Sequence, residues 1–117
     1  MTSANRRKEL REQYEQSPPE AGVYRIVNRQ TGKALIGAST NLGSVAGKLS
    51  FARAIGKFSA LDRRLHEDLA RFGIDAFELE VLDVLAVTPE MTPADVRREL
   101  AGLEALWREQ SNAAALY

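Results

Sequence analysis

The alternation of hydrophobic and polar residues predicts two strands near the start of the chain. Residues 22–28 have the sequence Gly-Val-Tyr-Arg-Ile-Val-Asn, which is rich in the β-branched and aromatic side chains that favour strands. A polar loop at residues 29–32 follows, and its glycine can adopt a positive φ. Residues 33–37 then form the return strand. The sequence therefore predicts a β-hairpin, which is its clearest local pattern.

A helix is predicted directly after the hairpin. Asn41 and the two hydroxyl residues before it have side-chain oxygens that can cap a helix beginning near Leu42. The stretch from there to Phe58 is rich in alanine, but glycine weakens a helix interior. We therefore expect this helix to be short or broken at its three glycines, Gly43, Gly47 and Gly56.

The second half of the chain predicts a helix, a strand and a last helix. From Ser59 onward, apolar residues follow helical spacing on one face, and Gly73 is expected to end that helix. Residues 76–85 alternate with period two, as a half-buried strand does. Thr92 and Pro93 open the last helix. The apolar stripe of this helix comprises Val96, Leu100, Leu103 and Trp107.

These elements predict an α+β fold in which helices flank a three-stranded antiparallel sheet. Residues 5–15 add a short, highly charged N-terminal helix, which the prolines at positions 18 and 19 end. The expected organisation is an N-terminal helix and proline-containing linker over residues 1–20, followed by one domain over residues 21–117.

Composition narrows the class of protein. The 117 residues are 44% hydrophobic and 27% charged, which is ordinary for a folded domain. There is no cysteine, so disulfides and thiolate metal sites are excluded. The first eight residues lack the apolar run of a signal peptide, and no segment is long and apolar enough to cross a bilayer. We expect a cytoplasmic protein with no membrane partner.

Charge is balanced overall but not locally. Sixteen basic and sixteen acidic residues cancel, whereas nucleic-acid-binding domains are often basic. Between Asn41 and Arg64, however, five basic residues face a single acidic one, Asp62. A solvated helical face explains such a run most simply, and a phosphate-facing surface is the alternative.

Two motifs in the hairpin resemble the signatures of the GIY-YIG nucleases. Gly22-Val23-Tyr24 is similar to the Gly-Ile-Tyr signature, and Leu35-Ile36-Gly37 is similar to Tyr-Ile-Gly. Later segments resemble the family in the same order, namely residues 38–42, 65–73, 77–82 and 103–107. Small stand-alone bacterial members share even the leading charged helix. We interpret the chain as such a member with a degenerate motif.

The resemblance implies metal-assisted hydrolysis of nucleic-acid phosphodiester bonds, with DNA as the substrate. Glu104 matches the helical glutamate that holds Mg²⁺ or Mn²⁺, hard cations that prefer oxygen ligands. Tyr24 matches the first signature tyrosine, whose phenol helps to activate and position the water. Glu104 is therefore the candidate metal ligand, and both residues are candidate catalytic residues.

Two positions depart from the family pattern. Leu35 stands where the second tyrosine is expected, and Val45 where an arginine steadies the phosphate charge. Lys48 or Arg53, one or two helical turns further on, are the candidates to replace that cation in catalysis. The residues expected to contact a nucleic-acid backbone are Lys48, Arg53, Lys57, Arg63 and Arg64.

The residues by themselves leave several alternatives open. Glu104 and Glu99 lie about 80° to either side of the apolar stripe of the last helix, so periodicity does not choose between them. Core packing also explains Tyr24, and His66, the single histidine, is either a general base or a residue bordering the core. The alternative functions are a catalytically inactive nucleic-acid-binding module and a protein-interaction module on the same fold.

Overall fold

The computed structural model describes residues 20–117, which form a three-stranded antiparallel sheet flanked by helices. The strands are β1 (Gly22–Asn28), β2 (Ala34–Ser39) and β3 (Phe77–Val84), in the order β2-β1-β3. The predicted α+β class is confirmed. The predicted helix over residues 5–15 and the linker after it lie outside the described residues.

Three α-helices follow the hairpin along the chain, two before β3 and one after it. They are α1 (Leu42–Ile55), α2 (His66–Phe72) and α3 (Pro93–Gln110), and a 3₁₀ turn at Arg63–Leu65 leads directly into α2. A capping box between Thr92 and Asp95 starts α3 at the predicted place. None of the helices in this part of the chain is long and apolar enough to span a membrane.

The sheet has helices on both faces. Alternate side chains of β1, among them Ile26, join the main core with α1 and α2. That core consists of Ile26, Leu35, Leu49, Ala52, Leu61, Leu65, Leu69, Ala76 and Phe77. On the other face, α3 packs against β1 and β2, where Val23 is fully buried. The sheet is thus the middle of three layers, and β1 is its central strand.

Helix α1 is continuous, so the expectation that it would be short or broken is wrong. The Asn41 side chain accepts a hydrogen bond from the Ser44 amide, and Gly56 ends the helix with a φ of 68°. Gly43 and Gly47 weaken it by about 1 kcal/mol each, but burial of Leu42, Leu49 and Ala52 outweighs that cost at roughly 1.5–3 kcal/mol per leucine.

The second helix begins later than predicted. Residues 59–62 form a turn instead of helix, although Leu61 is buried as its spacing suggested. The helical backbone starts at Arg63 because the Asp62 carboxylate accepts a hydrogen bond from the Arg64 amide at 2.9 Å. The apolar spacing was therefore a correct guide to burial and a wrong guide to the helix start.

The C-terminal segment covers part of the free edge of β2. The Tyr117 amide donates to the Ala34 carbonyl at 3.0 Å, beside a parallel bridge between Ala34 and Leu116. The Tyr117 hydroxyl donates to Asp68 at 2.6 Å and accepts from the buried Asn28 at 3.2 Å. Burial and, next, the bond to Asp68 raise the pKa of Tyr117 to about 12.

We predict that Gly22→Ala destabilises the fold by about 2–4 kcal/mol. A β-carbon at Gly22 would lie 2.1 Å from the backbone oxygen of Asp83, so the pairing of β1 with β3 would have to shift. Gly47→Ala is the matched control, because no atom lies within 4 Å of its added β-carbon and alanine favours a helix. Urea unfolding of both variants measures the difference, and equal stabilities would contradict the prediction.

A second prediction concerns alkaline pH. The pKa of Tyr117 is about 12 in the folded chain against 10.0 ordinarily, so its stabilisation is complete below pH 10 and is lost towards pH 12. The difference in free energy of unfolding between the wild type and Tyr117→Phe should therefore shrink across that interval. Denaturant unfolding from pH 8 to 12 measures it, and a constant difference would show that Tyr117 is not the group responsible.

Candidate active site

Tyr24 packs against Gly37, its partner on β2. A β-carbon added to Gly37 would lie 2.6 Å from the Tyr24 hydroxyl oxygen and 2.7 Å from Cζ, so the ring occupies the space of the missing side chain. The ring therefore leans from the central strand across the edge strand. This is the reason a glycine stands in the second motif, and it brings the hydroxyl towards the free edge of the sheet.

A pocket of about 260 Å³ opens beside Tyr24. Leu35 and Val45, which stand in place of the tyrosine and arginine expected from the family resemblance, both line it. Lys48 and Asp62 contribute charged groups. The complete lining is Tyr24, Ile26, Leu35, Val45, Lys48, Ala60, Leu61 and Asp62. The pocket thus lies at the two positions where the family resemblance leads us to expect longer polar side chains.

Asp62 joins Arg64 to this pocket. Its Oδ1 accepts from Arg64 Nε at 3.0 Å, and its Oδ2 accepts from Arg64 Nη2 at 2.9 Å. These bonds hold the pKa of Asp62 at about 2, well below the ordinary 3.8. The pair is thus fully ionised at neutral pH, and the guanidinium is fixed next to the pocket.

Glu104 approaches the same end of the sheet from α3. Its carboxylate lies 3.4 Å from Arg108, one helical turn later, and its side chain is 30% exposed. Arg108 also donates to the Ile36 carbonyl of β2 at 2.7 Å. This bond ties α3 to the free edge of β2, close to Gly37, and thereby fixes the position of Glu104.

Electrostatics link these groups into what we call the Tyr24 cluster, comprising Tyr24, Asp62, Arg64 and Glu104. Burial raises the pKa of Tyr24 above 10, the negative charges of Asp62 and Glu104 raise it further, and Arg64 opposes them. The hydrogen bond from Asp62 raises the pKa of Arg64, and Tyr24 and Glu104 add to that effect. At neutral pH the cluster therefore contains a neutral phenol, two carboxylates and one guanidinium.

The structure distinguishes the environments of Glu104 and Glu99, which lie at similar angles from the apolar stripe of α3. Glu99 is exposed and lies in a groove on the outer side of α3 with Arg98 and Leu106. The Glu104 charge acts on Tyr24, at the end of the sheet where the pocket opens.

Of the two cations proposed to replace the family arginine, Lys48 lies at the pocket and Arg53 lies elsewhere. Arg53 donates to the Phe77 carbonyl at 2.6 Å, and its Nε is 4.0 Å from Asp75. Phe77 pairs with Asn28, at the opposite end of β1 from Tyr24. Arg53 is thus held against the far end of the sheet.

The remaining candidates lie outside the Tyr24 cluster. His66 Nε2 is 2.8 Å from the Leu61 carbonyl, and its ring meets Phe58 edge-on at 5.4 Å, so it braces the turn before α2. Lys57 and Arg63 are exposed on the same stretch of chain.

Sequence reasoning treated Asp62 only as an offsetting charge. Its position as a helix cap two residues before Arg64 was the signal that could have revealed the pair.

The acidic groups of this site decide which residue would hold a metal ion. Among residues 20–117 there is no cluster of three or more acidic or histidine side chains able to hold a metal. Asp62 already binds Arg64 through both oxygens. Glu104 provides the carboxylate oxygens that Mg²⁺ prefers, and Mg²⁺ commonly binds through one carboxylate together with waters and phosphate. Glu104, whose Oε1 accepts from Arg108 at 3.4 Å, would be the protein ligand of such a cation.

No protein-family profile and no characterised protein matches the chain by sequence. Two solved structures match its fold. One is a variant of the catalytic domain of the intron endonuclease I-TevI, with a TM-score of 0.60 and 16% identity over 84% of this chain and 91% of that one. The chain has the fold of the GIY-YIG nucleases. The other, the catalytic domain of the homing endonuclease I-TevI, has a TM-score of 0.53 and 19% identity over 83% and 95%.

We predict that Glu104→Gln lowers the pKa of Tyr24 towards 10, because it removes one of the negative charges that disfavour the phenolate. Glu99→Gln is the matched control on the same helix and should leave that pKa unchanged. NMR titration of ¹³C-labelled tyrosine in a background with Tyr14→Phe and Tyr117→Phe leaves Tyr24 as the single labelled tyrosine. Identical titration curves for the two glutamine variants would show that Glu104 does not face Tyr24.

Proposed function

We propose that this chain is a nuclease domain that hydrolyses phosphodiester bonds of DNA with the help of Mg²⁺ or Mn²⁺. The observation that carries the proposal is the convergence of Tyr24, Glu104 and the cations Lys48 and Arg64 at one end of the sheet. The shared fold with two endonuclease catalytic domains supports it. The cytoplasmic location expected from the sequence is part of the same proposal.

Each group has a chemical role suited to its environment. Glu104 would hold the divalent cation, which when bound stabilises negative charge on the phosphate as a Lewis acid. Tyr24 keeps its proton at neutral pH, as an ordinary phenol does, and its raised pKa disfavours the phenolate further, so the phenol positions the attacking water or donates to a phosphate oxygen. Lys48 places a positive charge at the pocket, where it attracts the substrate backbone.

We expect the activity to be weaker than that of a site with both signature tyrosines. Leu35 is 2% exposed and part of the main core, and it has no group that binds or moves a proton. Loss of one transition-state donor typically lowers kcat by about 10² to 10³-fold. Losses at Leu35 and Val45 need not multiply, because residues of one site act as a unit.

A nucleic-acid-binding module on the same fold is the second candidate function. Leu35 favours it, since the side chain at the second signature position lies in the main core and has no group that can take part in catalysis. The exposed basic residues Lys48, Lys57 and Arg63 would serve binding equally well without catalysis.

The nuclease proposal is tested by incubating supercoiled plasmid with the purified chain and Mg²⁺ or Mn²⁺. We expect the wild type to nick the plasmid and Glu104→Ala to be slower by about a hundredfold or more. Glu99→Ala, which removes a carboxylate from the exposed side of the same helix, should retain the wild-type rate.

The other outcomes separate the alternatives. Equal nicking by the wild type and Glu104→Ala would contradict the role of Glu104. A gel shift that weakens with salt, without any nicking, would favour the binding module. Neither nicking nor a shift would favour the protein-interaction module.

A further inference from the structure

We propose that Arg64, positioned by Asp62, supplies the phosphate-binding guanidinium that is missing from position 45. This inference rests on the proposed nuclease function. It assigns the role to the turn before α2, whereas the family resemblance placed it on α1, and it gives Asp62 the role of a positioning residue.

The geometry of the pair leaves half of the guanidinium available. Asp62 occupies the side edge of Arg64, since its two oxygens accept from Nε and Nη2 at 3.0 and 2.9 Å. Within residues 20–117 no other hydrogen bond is made by this side chain, so Nη1 and the second Nη2 hydrogen are unused. These donors form the terminal edge of the guanidinium, which matches two phosphate oxygens as a planar fork.

The pair is also located beside the pocket that Tyr24 lines. Asp62 lines the pocket beside Tyr24, and Arg64 is held directly against Asp62. The Arg64 side chain is 49% exposed, so a substrate can reach its terminal edge. The influence of Tyr24 and Glu104 on the pKa of Arg64 agrees with this placement, because both act on the guanidinium through space.

The other cations of this region are less suited to the task. Arg53 is bonded to the Phe77 carbonyl at the far end of the sheet. Lys48 lies at the pocket, but an ammonium is a point charge and does not present a planar pair of donors. Arg108 is bonded to the Ile36 carbonyl and to Glu104 on the α3 side. Arg64 is the guanidinium whose charge acts on Tyr24, and Asp62 orients it.

Asp62 therefore has two opposing effects on the substrate. It fixes the orientation of the guanidinium, which favours the transition state, and its negative charge repels the phosphate, which weakens binding. Removing that charge should lower kcat without raising KM. A residue that served only the fold would not produce this split. Asn at position 62 retains an oxygen that can still cap the Arg64 amide.

The experiment compares plasmid nicking by Arg64→Ala, Arg64→Lys and Asp62→Asn. We expect both Arg64 variants to lower kcat about a hundredfold, because an ammonium cannot hold Asp62 and a phosphate through two edges at once. Asp62→Asn should lower kcat about tenfold with KM unchanged or lower. The matched control is Arg98→Lys, another arginine paired with an aspartate, which is 76% exposed on α3 and should match the wild type.

A binding measurement makes the test independent of catalysis. In a Glu104→Ala background, log K for a DNA duplex is measured against log[salt]. Arg64→Ala should reduce the magnitude of the slope by about one phosphate contact, and Arg98→Ala should leave it unchanged. Arg64→Gln, which also removes the charge, serves as the second variant where Arg64→Ala does not fold, because a lysine would still contact a phosphate.

The possible failures are distinguishable. If Glu104→Ala abolishes nicking while both Arg64 variants keep the wild-type kcat and salt slope, the nuclease function stands and the role of Arg64 is overturned. If the wild type does not nick, the slope of log K against log[salt] alone tests the role of Arg64. An unchanged slope in Arg64→Ala then overturns the inference. If the wild type does not bind DNA at all, both proposals fall together.

Discussion

The site depends on the close packing of the Tyr24 ring against Gly37. No β-carbon fits between them, so the ring can cross from the central strand over the edge strand only where the second motif has a glycine. At that edge, the bond from Arg108 to the Ile36 carbonyl anchors α3. The edge of β2 thus positions both the phenol and the helix that carries Glu104, whose charge acts on Tyr24.

Electrostatics in this small region matter more than the net charge of the chain. The Tyr24 cluster combines two carboxylates with one guanidinium, and partial burial raises the pKa of its phenol. The overall charge of zero therefore hides a local arrangement of opposite charges at the pocket. Because Asp62 and Arg64 are bonded to each other, their opposite charges largely cancel at a distance. Long-range attraction of a polyanion such as DNA would therefore come from the exposed basic residues near them.

Local patterns were sufficient for most of the secondary structure. The hairpin, β3 and the start of α3 follow from alternation, a glycine-containing loop and the capping box at Thr92, all of which act between residues close in sequence. The family resemblance pointed to Tyr24 and Glu104. Helix propensity misjudged α1, because burial of Leu42 and Leu49 against the sheet outweighs the cost of its glycines.

The sequence alone thus determined the order of elements and the fold class, since these depend on periodicity and caps. Only the tertiary structure decided which charged side chains meet. Glu99 and Glu104 are equivalent by helical angle, and they differ because α3 is anchored to β2 on one side only. Arg53 and Arg64 are equally basic in sequence, yet a backbone carbonyl binds one at the far end of the sheet and Asp62 holds the other beside Tyr24. The pair of Asp62 and Arg64 is local, but its place beside the Tyr24 pocket and the bond of Arg53 depend on contacts between residues distant in sequence, which no local pattern contains.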